Sequence, residues 1–141
     1  MGLGCVPNTN KNFLGMLGMH GTYEANLAMH NCDVMLNVGA RFDDRVTGRL
    51  NAFSPNSKKV HIDVDKSSIN KDVSVDYGIV GDCKEVLSAL LLEVKKLHNQ
   101  KIMKSKNKWW SQINQWKEKD SLGFKQIGNL HLSFLKYSQP N

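Results

Sequence analysis

At 141 residues the chain is long enough for one domain with a core and too short for two. Apolar content of 40% and charged content of 23% are ordinary for a soluble globular protein, and the lack of a run of about eighteen apolar residues excludes a membrane-spanning helix. The formal charge of +6 is uneven: residues 1–90 carry nine Lys or Arg against ten Asp or Glu, and residues 91–141 carry ten against three.

The first residues, MGLGCVPNTNKN, lack the basic start and long apolar segment of a secretory signal. Position 6 is Val, where N-myristoylation of Gly2 requires Ser or Thr. Cys5, Cys32 and Cys83 lie far apart, as expected of reduced thiols in a cytoplasm-like compartment. Cys32 and Cys83 read as small buried packers.

GMLGMHGTYEAN places Gly15, Gly18 and Gly21 at every third position, with Leu14 just before them and Met16, Leu17 and Met19 between them. Glycines flanked by flexible apolar side chains can lie flat against a planar ring. The same pattern also suits a buried loop that merely leads into a helix. His20 is placed to contact a ligand. A helix follows from about Thr22 to Asn31, with Tyr23, Leu27 and Met29 or His30 on one side. DVMLNVG reads as a strand buried on both faces, and DDRVTGRLNAF as a short helix or turn ending near Gly48. Lys59 to Asp63 alternates as a strand and turns His61 into a hydrogen-bonded core position. Tyr77 to Val80 is a third short strand.

Asp82, three residues before Glu85, opens a helix from Cys83 to about His98. Its apolar stripe is Val86, Leu87, Leu90, Leu91, Val94 and Leu97. KKLHNQKIMKSKNKWW then combines lysines with aromatics. That combination suits phosphates and bases, but it equally describes a solvated linker and helix surface, which is the preferred reading, without a nucleic-acid partner. A last helix is expected over Lys108 to Lys119, with Trp109, Ile113 and Trp116 on its apolar side. His30, His98 and His131 stand alone, and no His, Cys or carboxylate set has metal-ligand spacing.

This succession is the grammar of an α/β fold: a Rossmann-like parallel sheet flanked by helices. Three strands are few for such a sheet, so the chain is expected to be a piece of a larger protein. In open parallel sheets ligands bind outside the carboxyl ends of the strands, and three such ends carry suitable residues. Gly39 permits close approach, and Arg41 and Arg45 can hold a diphosphate or a carboxylate. Asp63 can accept hydrogen bonds from a ribose or an adenine. Gly81 and Asp82 open the Cys83 helix, whose N-terminus favours anionic groups. Together they describe a groove for a nucleotide-type cofactor. There is no G-x-G-x-x-G after a strand and no Walker-type lysine loop.

LGMLGMHGTYEANLAMHNCDVMLNVGARFDDRVTG, with KVHIDVDKSSINK and IVGD, closely resembles the large catalytic subunit of the acetolactate synthase (acetohydroxyacid synthase) family, over about Gly2 to Gln126. The resemblance implies an enzyme that condenses two pyruvates, or pyruvate and 2-oxobutyrate, in branched-chain amino acid synthesis. It uses thiamine diphosphate with magnesium, plus an FAD that takes no net redox part. It further implies that residues 1–100 are most of the central, FAD-binding domain. Residues 101–125 would be a basic linker and helix leading toward a C-terminal domain, and residues 126–141 an atypical tail.

By the same resemblance, FAD contacts fall on Leu17, Gly18, Met19, His20, Gly39, Ala40, Arg41, Asp43, Arg45, Val46, Asp63, Val64, Gly81 and Asp82. Met19, His20, Asp44 and Arg45 lie toward the 2-oxo acid substrate. Arg45 would clamp the second oxo acid's carboxylate, while Asp43 and Asp44 orient the Arg41 and Arg45 guanidiniums. The thiamine and magnesium sites are expected in other domains, so this chain alone is expected to be inactive. The full enzyme's homo-oligomeric pairing and regulatory subunit would use surfaces largely outside it. A stand-alone flavin- or ADP-binding module and an inactive truncated product are the alternatives.

Overall fold

A computed structural model describes residue 2, residues 4–97 and residues 100–119, with side chains in the last helix from residue 104. The 126–141 tail, His98 and His131 lie outside the described residues. The elements run α1 (Tyr23–Asn31), β1 (Val34–Val38), α2 (Asp44–Thr47), β2 (Lys58–Asp63), β3 (Tyr77–Val80), α3 (Cys83–Lys96) and α4 (Gln100–Lys117), with short 3-10 turns at Leu50–Ala52 and Lys66–Ser68. The expected α/β class holds: three parallel strands in the order β1-β2-β3, with helices around them.

The helix starts follow from local chemistry. Thr22 caps α1 by accepting from the Ala25 amide, and Asp82 caps α3 by accepting from the amides of Lys84 and Glu85. The strands are β-branched or apolar on alternate positions and pair in register, Leu36 with Val60 and Ile62 with Ile79. Val34, Leu36, Val60, Ile62, Tyr77 and Ile79 therefore share one face of the sheet. Met35, His61 and Asp63 share the other, where Phe42, Phe53 and Val73 form the core with Met29, Met35, Val46 and Val75 around them. Phe42 meets Phe53 edge-on with centroids 5.7 Å apart.

The Val34 and Leu36 face is less covered than the sequence implies. β1 was expected to be buried on both sides, yet Val34 is 59% exposed. Among the described residues β1 is an edge strand, and α3 packs against the central strand β2. The α3 stripe is also more open than expected. Val86 is half-buried, but Leu87, Leu90, Leu91, Val94 and Leu97 are exposed.

α4 begins eight residues before the expected Lys108. Lysine is a good helix former, so the basic stretch read as a linker continues the helix. Its apolar side is as expected: Ile113 is buried, and Trp109 and Trp116 meet edge-on at 5.6 Å. α4 packs against α1, and Lys119 Nζ donates to the Tyr23 hydroxyl at 2.9 Å.

Candidate functional site

Because the strands are parallel, their carboxyl ends share one edge. Two hydrogen bonds carry the ladder past the strands: Gly39 N–H donates to Ile62 O at 2.8 Å, and Gly81 N–H to Asp63 O at 3.0 Å. A Cβ on Gly39 would stand 3.1 Å from Cys83 Sγ, and one on Gly81 would stand 3.1 Å from Val86 Cγ2. The end of β1 therefore meets the start of α3, and both glycines keep backbone bare at that junction. Asp63, Val64 and Asp82 belong to the same edge. Asp63 is buried, and Val64 is largely in solvent.

A second group gathers around an open hollow of about 840 Å³ between the glycine-rich loop, α1 and β1. Leu17, Met19, His20, Ala40, Arg41, Arg45 and Val46 all line it, beside Phe13, Met16 and Leu36. The loops that carry them are stitched together. Met19 N–H donates to Arg45 O at 2.9 Å. A Cβ on Gly18 would fall 2.5 Å from Arg45 O, and Gly18 itself has φ +99°. Only glycine permits that approach. Asn37 Nδ2 donates to Ala40 O at 2.6 Å and fixes the turn that joins the two groups.

The charge cluster has a local explanation. Asp43 caps α2 by accepting from Arg45 N–H at 3.1 Å. That backbone N–H, followed by the Asp44 side chain, holds the Asp43 carboxyl below the usual carboxylate range, and Arg41 and Arg45 reinforce it. Arg41 lies 3.8 Å from Asp43 and Arg45 lies 3.9 Å from Asp44, with both arginines 72% exposed. These are the expected partners, but the pairs are loose and wet. The aspartates therefore leave both guanidiniums available to a ligand.

Three features were not anticipated. Asn26 clamps the Gly18 backbone from both sides, its Oδ1 accepting from Gly18 N–H at 2.8 Å and its Nδ2 donating to Gly18 O at 3.0 Å. The sequence signal was the Asn closing MHGTYEAN, but its target is eight residues away on another element. His61 is fully buried as expected, yet neither ring nitrogen has a hydrogen-bond partner, so it is not the satisfied core histidine the alternation implied. Cys32 and Cys83 are half-buried rather than buried, because both stand at element ends beside the site.

Residues 1–90 match the family described as thiamine pyrophosphate enzyme, central domain. The chain belongs to that family. As a thiamine pyrophosphate enzyme central domain it is similar to the acetolactate synthase large subunit of Haemophilus influenzae, 52% identical over 126 residues, which are 88% of this chain and 22% of that protein. It is 47% identical over 124 residues to the acetolactate synthase isozyme 3 large subunit of Escherichia coli, again 88% of this chain and 22% of the relative. A probable acetolactate synthase large subunit of Methanocaldococcus jannaschii is 45% identical over 118 residues, covering 84% of this chain and 19% of the relative. The chain thus spans about a fifth of the length of the curated relatives it matches.

Proposed function

We propose that this central domain supplies the flavin-nucleotide surface of an acetolactate synthase. The observation that carries the reading is the junction at the sheet edge, where Gly39 packs on Cys83 and Gly81 N–H donates to the backbone carbonyl of Asp63. It brings a bare glycine turn, an acid and a helix N-terminus to one place, beside the apolar hollow and its two open guanidiniums. That donor set fits an FAD: the Arg41 guanidinium and backbone amides for the diphosphate, Asp63 for the ribose or adenine hydroxyl and amine donors, and Leu17, Met19 and Val46 against the flat ring. Residues 1–100 serve as part of the FAD-binding domain, and residues 101–125 lead toward the next one.

In the complete enzyme, thiamine diphosphate with magnesium supplies the carbon–carbon bond-forming chemistry by which two pyruvates, or pyruvate and 2-oxobutyrate, give 2-acetolactate or 2-aceto-2-hydroxybutyrate with loss of CO2. Those groups and a regulatory subunit bind outside the described residues. What this chain contributes is binding and orientation. Arg45, open to solvent at the rim of the hollow with Met19 and His20 beside it, holds the carboxylate of the second 2-oxo acid.

Titrating purified chain with FAD tests the first part: quenching of flavin fluorescence supports it, and no binding at any accessible concentration overturns it. For the second, Arg45→Ala in a complete enzyme raises the requirement for the second oxo acid. Unchanged kinetics for both substrates remove Arg45 from that role.

A further inference from the structure

His61 sits in the middle of β2, with Asn37 of β1 and Gly78 of β3 as its register partners. Its side chain is 0% exposed, and neither ring nitrogen has a hydrogen-bond partner. Leucine would fill the place without burying two polar atoms. Two neighbours give the ring a direction. Its Nε2 lies 3.6 Å from Asp63 Oδ2, a short movement from the hydrogen-bonding distance of about 3 Å. Its ring also packs against Phe42, with centroids 5.2 Å apart and planes at 76°. Phe42 lies within the Gly39–Arg45 turn. The other Asp63 oxygen, Oδ1, already accepts from Asp65 N–H at 2.9 Å. Oδ2 is therefore the atom left for a ligand, and His61 is the buried group that reaches it.

We propose that His61 is a positioning residue for the nucleotide end of the flavin site. As the Nε2–H tautomer it tethers Asp63 Oδ2 and so sets the direction in which the carboxylate meets the ribose or adenine donors. Through Phe42 the same ring ties that carboxylate to the turn carrying Arg41 and Arg45, so the two halves of the nucleotide site move as one. This rests on the flavin reading given under Proposed function.

The test is FAD titration of the full chain with four single variants and one double variant, alongside long-range proton–nitrogen spectra of the His61 ring. His61→Leu, which has no donor, weakens FAD binding about tenfold, the weight of a hydrogen bond to a charged group. His61→Gln, whose amide nitrogen stands where Nε2 stood, retains most of the affinity, and His61→Asn, whose amide falls short, does not. Asp63→Asn weakens binding, and adding His61→Leu to it weakens binding no further. Should His61→Leu fail to fold, the wild-type ring spectrum decides: Nε2–H is expected, and the Nδ1–H tautomer overturns the tether. Full affinity in His61→Leu, or additive losses in the double variant, overturns the positioning role and leaves the flavin reading intact. Failure of the wild-type chain to bind FAD overturns both.

Discussion

Replacing Gly18 by alanine tests whether the glycine-rich loop is built around its contact with the Arg45 turn. Gly18 has φ +99°, and an added Cβ would lie 2.5 Å from Arg45 O and 3.1 Å from Val46 Cα, both of them backbone that cannot rotate away. The left-handed conformation costs an L-residue about 1–2 kcal/mol, and relief of the overlap by backbone movement costs about 1–3 kcal/mol. The combined loss is about 2–5 kcal/mol, or a fall of about 1–2.5 M in urea midpoint at a slope of about 2 kcal/mol per M. Two further glycines separate the contributions. Gly48 has φ +57° with nothing within 4 Å of its added Cβ, so Gly48→Ala reports backbone conformation alone. Gly21 has no positive φ, but its Cβ would meet Leu17 Cα and Met16 O at 2.5 Å, so Gly21→Ala reports overlap alone. Equilibrium urea unfolding followed by tryptophan fluorescence gives all three. Gly18→Ala should be the most damaging, and a midpoint within about 0.3 M of wild type would show that the loop does not depend on this approach.

Asn26→Ala removes both clamps on Gly18 and should cost about 1–3 kcal/mol in the same unfolding assay, with Asn26→Asp restoring only the acceptor half. Asp76 accepts from Lys58 Nζ and the Lys59 amide, which lower its carboxyl below the usual value of 3.8. Its stabilising contribution is therefore complete above that value and disappears as pH falls through the lowered one. Acid titration of stability should show a loss there that Asp76→Asn lacks. Leu91→Lys on the exposed side of α3 should leave unfolding within about 0.5 kcal/mol of wild type while reducing binding of an apolar dye. Cooperative destabilisation would mean that Leu91 is packed.

The elements were legible where a short-range rule governs them. Thr22 and Asp82 are side-chain caps within three residues of their targets, and the alternation of Val60, His61 and Ile62 is a local periodicity. That the strand ends gather at one edge was legible because parallel strands place their ends together whatever lies between them. Burial was less so. The leucines of α3 announce that the helix has an apolar side, but a stripe carries no information on whether its partner lies within the same stretch of chain. The clamp from Asn26 and the unpaired ring of His61 were hidden for a related reason. Each depends on a neighbour brought up by tertiary folding, and nothing within a few residues encodes it. In the lysine-rich start of α4, charge suggested a linker while helix propensity favoured the helix, and propensity prevailed.

The open flank of α3 governs how these residues behave on their own. Leu91, Leu92, Val94 and Leu97 of α3 stand in water, and Val34 and Leu36 of β1 are exposed as well, and large apolar side chains left open in this number are a liability for a domain on its own. Concentration and salt would then act on this chain chiefly by driving copies together, and detergents or chaperones would bind it as they bind a half-assembled protein. The same greasy flank that makes it a poor solitary molecule makes it a ready docking plate, one whose solubility improves as soon as something fits against it.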